Sequence, residues 1–257
     1  MATLKLSGSV GFGGNNSTDD VKKVVDRFVE LGYTWVSGIT KGNSNELVRT
    51  IKLFQSTCKG EPKASSGDGK ISLHGNTHKW LAAKNAPEWV LVYGKSGLGW
   101  TTTTSLKPDD YKKSNGGYAT SWLLDRLHLT GIAYRANALL SVSDAPPLWV
   151  RECSPEKGGD AYGHKSHETG IDVDIRLPLL PPHTDEWFQL KADNYTKFFH
   201  SEAAIKQCEA LKKWMDSKYI FFNDPRFIPQ LTSKQDNHSE HYHVRIKPPM
   251  RMDGTYM

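Results

Sequence analysis

The sequence predicts an α+β protein: a small helical module first, then a larger unit in which helices alternate with strands. Three observations carry this. Residues 19–31 repeat apolar side chains at helical spacing. Several short apolar stretches beyond residue 88 have the texture of strands. The composition, 37% hydrophobic and 24% charged, is that of a globular chain. With 257 residues there is room for one large domain or two small ones.

Val21, Val24, Val25, Phe28 and Val29 fall on one face of a helix running from Asp19 to Leu31. Ser17 or Thr18 can cap its start and Gly32 can end it. A second helix is expected over Asn45 to Thr57, with Leu47, Val48, Ile51 and Phe54 inward, and a third over Thr77 to Ala83 after the Gly67-Asp68-Gly69 turn. Residues 1–87 thus form the first module. EWVLVYG (88–94) is strand-like, and the Gly-, Thr- and Ser-rich run that follows makes 88–114 a linker or surface hairpin. The second unit covers 115–257. Tyr118 to Leu129 and Ser201 to Ser217 read as helices; Leu148–Cys153, Ile171–Leu177, KYIFFND and HYHVRIK read as strands.

Charge and cysteine content narrow the function classes. Of the net +5, all sits in residues 1–85, which carry 12 Lys and Arg against 7 Asp and Glu, while the remainder is balanced. A basic module beside a neutral one suits a polyanion such as an anionic cell wall, or simply a solvated face. Nucleic acid is the weakest partner: no RNP, KH or helix-turn-helix pattern is present, and the pI near 8.9 falls below the usual footprint. No run approaches the ~18 apolar residues of a membrane span. The N-terminus lacks the apolar core of a secretory signal, so synthesis and folding are expected in the cytosol. Cys58, Cys153 and Cys208 are too scattered for a disulfide framework or a CxxC zinc site.

The chemistry is in the histidines. Five of the ten fall in two short windows, His164–Asp174 and His238–His243. Imidazole and carboxylate suit a borderline ion such as Zn²⁺. In GHKSHETGIDVDIRL, Gly170 permits a turn, so His167 can sit on an incoming loop while Asp174 projects from a strand. Asp172 and Asp174 share a strand face, and two inward carboxylates need a cation or hydrogen-bond partners. One would bind metal and the other orient a histidine. In HSEHYHVRIK, His241 and His243 point the same way, with Val244 and Ile246 opposite. Such a set supplies three ligands and a spare base, the pattern of a catalytic rather than a structural zinc site, and HExxH is absent. His128, His183 and His200 are read as ordinary surface or hydrogen-bonded residues.

Both windows resemble known motifs. SPEKGGDAYGHKSHETGIDVDI is similar to the GG…GHxSHxTGxDVDI pattern of the penicillin-insensitive murein endopeptidases, and HSEHYHVRI to their HxxHFHVR motif. That family belongs with the lysostaphin-like and D-Ala-D-Ala-cleaving zinc peptidases and hedgehog domains. The resemblance spans Gly117 to Pro248, with Glu168, Ile171 and Tyr242 standing where the pattern has Gln, Leu and Phe. It implies a zinc peptidase domain with a central antiparallel sheet flanked by helices. It assigns His167, Asp174 and His243 as zinc ligands, His241 as the catalytic histidine, His164 and His238 as further active-site histidines, and Asp172 to a supporting place behind the ligands. It leaves Glu152 without a role. Residues 6–83 resemble the three-helix peptidoglycan-binding module of cell-wall hydrolases, through the DV-start helix, Phe54-Gln55, Asp68-Gly69 and GNTHKWL.

The function these resemblances imply is a zinc-dependent D,D-endopeptidase that cuts D-Ala–meso-diaminopimelate cross-links in peptidoglycan. Without a signal peptide it would reach the wall on lysis, as a phage endolysin, or by injection as an antibacterial effector with an immunity protein as partner. The alternatives are a D,D- or L,D-carboxypeptidase, or a non-catalytic wall-binding protein with a structural zinc. Removing residues 1–85 is expected to weaken wall binding while sparing a soluble substrate.

Overall fold

Helix α1 (Thr18–Glu30) begins where Ser17 accepts a hydrogen bond from the Asp20 amide, and it ends before Gly32, whose φ is +87°. Its apolar face buries Val21, Val24, Val25 and Phe28, with the Phe28 ring edge-on to Phe54 at 5.6 Å and to Tyr33 at 5.4 Å. Phe54 belongs to α2 (Asn45–Lys59), which Ser44 caps and Gly60 closes in a left-handed conformation. Two short strands, β1 (Val10–Gly11) and β2 (Lys70–Ile71), pair antiparallel, and α3 (Asn76–Ala82) follows. In this computed structural model the described residues are 4–102, 116–138, 142, 145–161, 163–181, 195–250 and 252. The stretch 103–114 of the expected linker and His183 lie outside them.

Beyond residue 88 the chain is α+β, as the sequence predicts. The strands are β3 (Trp89–Leu91), β4 (Ser96–Gly97), β5 (Trp100–Thr102), β6 (Tyr118–Thr120), β7 (Leu148–Glu152), β8 (Asp172–Arg176), β9 (Ser217–Phe221) and β10 (His241–Ile246). The helices are α4 (Ser121–Ala138), α5 (Tyr195–Phe198) and α6 (Ser201–Trp214). Six strands form one sheet in the order β4-β5-β7-β8-β10-β9, and β3 pairs with β6 separately. Helices α4 and α6 pack together, with the Gln207 amide donating to the Tyr134 hydroxyl at 3.4 Å. Strand alternation sends Val173, Ile175, Val244 and Ile246 into the apolar core and leaves Asp172, Asp174, His241 and His243 on the other face.

Three expectations are corrected. The central sheet is mixed, because β5 runs parallel to β7. Tyr118–Thr120 is strand rather than helix: Trp89, Val90 and Leu91 pair with Thr120, Ala119 and Tyr118, and that tertiary ladder outweighs local helical preference. The described part of 88–114 does hold a hairpin, one of the two readings, but β4–β5 joins the central sheet and buries Trp100 instead of standing on the surface.

The two parts also share a buried interface. The Trp89 amide donates to the Leu31 carbonyl at 2.7 Å, and Trp80 packs edge-on to Trp122 at 5.4 Å. One continuous apolar cluster runs from Val10 to Ile246. No helix among the described residues is long and apolar enough to cross a membrane. Cys58, Cys153 and Cys208 are free.

Asp20 fastens the N-terminal segment to α1. Its buried carboxylate accepts from the Ser7 amide (3.0 Å) and hydroxyl (2.7 Å), the Gly8 amide (2.9 Å) and the Ser17 hydroxyl (2.9 Å). Burial opposes the charge, but these donors outweigh it and bring the pKa down to about 2. Because the folded value lies below the unfolded one, the stabilisation is complete above about pH 4 and is lost as pH falls to about 2. Asp20→Ala is expected to cost about 2–3 kcal/mol at pH 7. In urea melts from pH 7 to 2, the gap between variant and parent should close at the acid end.

Candidate metal centre

Cross-strand register builds the site. Glu152 of β7, Asp174 of β8 and His243 of β10 lie abreast across three adjacent strands, and Asp172 lies opposite Arg245 in the next row. Directly opposed residues share a face, so all five side chains meet on one side of the sheet. His164 and His167 come from the loop before β8. His167 has φ +67°, and Gly170, at φ +73°, turns the chain into the strand. A Cβ on Gly170 would lie 2.5 Å from the Trp89 ring and 3.0 Å from the Thr120 amide nitrogen, so only glycine fits.

Asp174 is buried, and four imidazoles surround its two oxygens. His243 Nδ1 is 2.8 Å and His167 Nε2 3.2 Å from Oδ1; His241 Nε2 is 3.6 Å and His164 Nδ1 3.9 Å from Oδ2. Burial alone would raise its pKa, yet His167 and His243 hold it well below the usual carboxylate range. Asp172 is tied differently. Arg245 grips both its oxygens at 2.9 and 2.6 Å, and His243 Nε2 approaches Oδ1 at 3.1 Å. Burial is again outweighed, and the Asp172 pKa falls to about 2.

Hydrogen placement shows what the cluster can hold. His167 Nδ1 lies 3.0 Å from the Cys153 carbonyl, which only accepts, so Nδ1 is spent there as a donor and Nε2 is turned into the cluster. Nε2 faces Asp174 Oδ1 at 3.2 Å and His243 Nδ1 at 3.1 Å. His243 Nδ1 is in turn 2.8 Å from Asp174 Oδ1, so a protonated His243 ring donates to it. Burial disfavours this charge, but the hydrogen bonds to Asp172 and Asp174 raise the His243 pKa to about 9. A divalent ion taking the place of that proton would meet nitrogen and carboxylate oxygen donors, the set zinc takes. The donor atoms of His164, His167 and Asp174 all lie within 4.8 Å of one another, compact enough for one ion.

The grouping differs in emphasis from the motif assignment. His164, expected as a proton-handling residue, stands with His167 and Asp174 because Glu152 accepts from its Nε2 at 2.9 Å and leaves Nδ1 toward Asp174. His243, expected as a ligand, has both nitrogens engaged by carboxylates and reaches ligand form only on losing a proton. His241 is at the rim of the cluster; burial lowers its pKa to about 4, so it is neutral near pH 7. His238 bonds the Asp236 carbonyl at 2.7 Å and stacks obliquely on His241, with ring centroids 5.0 Å apart. Burial lowers its pKa as well. His128 accepts from Trp100 Nε1, and His200 caps α6, which are structural roles.

Two residues escaped the sequence reading. Arg245 lies two positions beyond His243 and so shares its strand face, a signal that was available. Glu152 had no local signal, because its place beside Asp174 depends on the β7–β8 register. Its hydrogen bond raises the His164 pKa above the ordinary value, against burial, and lowers its own. A cleft of about 990 Å³ opens beside this end of the sheet, lined by Tyr195, Phe199, Asp224, Arg226, Asn237 and Glu240 among others. Its wall includes the immediate neighbours of His238 and His241.

No protein-family model matches the chain, and no curated protein matches it.

In equilibrium dialysis against Zn²⁺ the parent chain should hold one ion. His167→Ala should weaken binding more than about 100-fold, and Glu152→Gln by about 10–100-fold through the loosened His164. Parent-like affinity in His167→Ala would place the ion elsewhere.

Proposed function

We propose that this protein is a zinc-dependent peptidoglycan hydrolase, a D,D-endopeptidase cleaving cross-links between D-Ala and meso-diaminopimelate. The observation that carries the reading is the buried Asp174 carboxylate surrounded by imidazoles. The resemblance of both histidine windows to the murein endopeptidase motifs supplies the reaction class and the metal. Zinc bound there would provide Lewis acidity, polarising a carbonyl and bringing the pKa of a water ligand to about 7.

The chain's own groups divide the remaining work. His167, Asp174 and one further imidazole, His164 or, once deprotonated, His243, would hold the ion and leave its fourth place to water. Arg245 and Asp172 keep the His243 ring in place, and Glu152 does the same for His164. His241 is the proton acceptor and donor at the rim: its neutral form at pH 7 leaves a lone pair to take a proton as water adds to the peptide carbonyl, and to return it to the leaving amine. His238 packs behind it. The cleft carries Glu240 and the mutually paired Asp224 and Arg226 on its wall, room and polarity for a stem peptide.

The N-terminal helical part is the proposed wall-binding element, its excess positive charge drawn to an anionic polymer and screened by salt. The site of action is then the wall, reached on lysis as an endolysin or by injection as an effector, the latter with an immunity protein as partner.

Mass spectrometry of purified sacculi digested with and without a chelator tests the activity. Cross-linked dimers should fall to monomers with gain of one water, and the chelator should stop this until Zn²⁺ is returned. Loss of terminal D-Ala alone would mean a carboxypeptidase; no release at all would mean a non-catalytic wall binder. His241→Ala should keep its zinc and lose about 10²–10⁴-fold in turnover.

A further inference from the structure

The metal-bearing loop is not held by its own domain alone. His167 sits at φ +67°, a conformation that costs a residue with a Cβ of the order of 1–2 kcal/mol and persists only where the surroundings enforce it. The residues that follow it are gripped by the N-terminal part. Glu168, 6% exposed, places Oε1 2.5 Å from Lys63 Nζ and accepts from the Ala64 amide on Oε2 at 2.9 Å. The Thr57 hydroxyl donates to the Thr169 carbonyl at 2.9 Å, and the Thr169 hydroxyl donates to the Glu61 carbonyl at 2.9 Å. Arg245, which grips Asp172, also donates to the Gly60 carbonyl at 3.4 Å. Residues 57–64 are the end of α2 and the turn beyond it, so one short segment reaches both the loop that carries His167 and the arginine behind His243.

We infer that Glu168 is a positioning residue for the metal centre: it locks residues 63–64 of the N-terminal part to the His167 loop, so that this part completes the site rather than merely tethering it to a polymer. The inference rests on the metal-site reading above. It also reverses the expectation that residues 1–85 can be removed without harm to a soluble substrate. Cutting them away strips Glu168 of both its partners and opens the loop to water, so the contacts that enforce the His167 conformation are lost. The adjoining Gly159 amide, which donates to the Glu168 carbonyl at 2.9 Å, would move with it.

The test uses the full chain. Zn²⁺ affinity by chelator competition and the visible spectrum of the Co²⁺ form are compared for the parent, Glu168→Ala, Glu168→Gln and Lys63→Met. Glu168→Ala should bind about 10–100-fold more weakly and shift the Co²⁺ bands, with an apo melting temperature within a few degrees of the parent. Glu168→Gln keeps an acceptor for the Ala64 amide and should recover most of the affinity. Lys63→Met, a change at the half-exposed partner, should give a smaller loss in the same direction and serves if Glu168→Ala does not fold. Parent-like affinity and spectrum in Glu168→Ala would overturn the inference, as would a loss that only tracks a large fall in melting temperature. If the parent binds no divalent ion, the metal reading fails by itself. Amide hydrogen exchange at 167–170 then decides: faster exchange in Glu168→Ala upholds the brace, and unchanged exchange removes it.

Discussion

A carboxylate in the interior has to be neutralised, and Asp174 is neutralised by imidazoles. That constraint organises the second half of the molecule. It requires His243 on the neighbouring strand at the same register, His167 on a loop that turns back over the sheet, and His241 one pleat away. Asp172, two residues earlier, would double the problem, but Arg245 takes its charge in a two-point grip and frees His243 to face Asp174 with its other nitrogen. A proton on His243 balances the charge among these groups, and it occupies the position a divalent ion would claim. A metal would have to displace that proton, so binding there would grow stronger as pH rises.

Much of this was legible in the sequence because it depends on periods of two and 3.6. The apolar face of α1, the caps at Ser17 and Gly32, and the shared face of His241 and His243 opposite Val244 and Ile246 follow from local spacing. The turn at Gly170 was legible too, although the reason for it, contact with Trp89 and Thr120, was not. What spacing does not encode is register between distant strands. Glu152 becomes the partner of His164 only because β7 lies beside β8, and Tyr118–Thr120 becomes a strand only because Trp89–Leu91 is there to pair with it. The parallel pairing of β5 with β7 was invisible for the same reason.

The sequence changes texture near residue 88, but nothing in it shows how closely the stretches on either side are joined. Thr57, Glu61 and Lys63 carry no motif, and their meaning comes from the residues they touch, Glu168 and Thr169, more than a hundred positions away. Trp89 bridges the parts as well, since its amide serves Leu31 and its indole nitrogen donates to the Glu156 carbonyl. A helical part carrying all the excess positive charge is therefore fastened by hydrogen bonds to the loop of the candidate metal centre. Such an arrangement orients the cleft relative to whatever surface the basic face meets, where a flexible tether would leave that angle free.

X-ray absorption at the zinc edge of the loaded full chain tests the convergence of these side chains most directly. Nitrogen and oxygen neighbours at about 2.0–2.1 Å with the multiple-scattering signature of imidazole are expected, with fewer imidazoles in His167→Ala. A first shell of water oxygens alone, or imidazole scattering that survives unchanged in that variant, would contradict it.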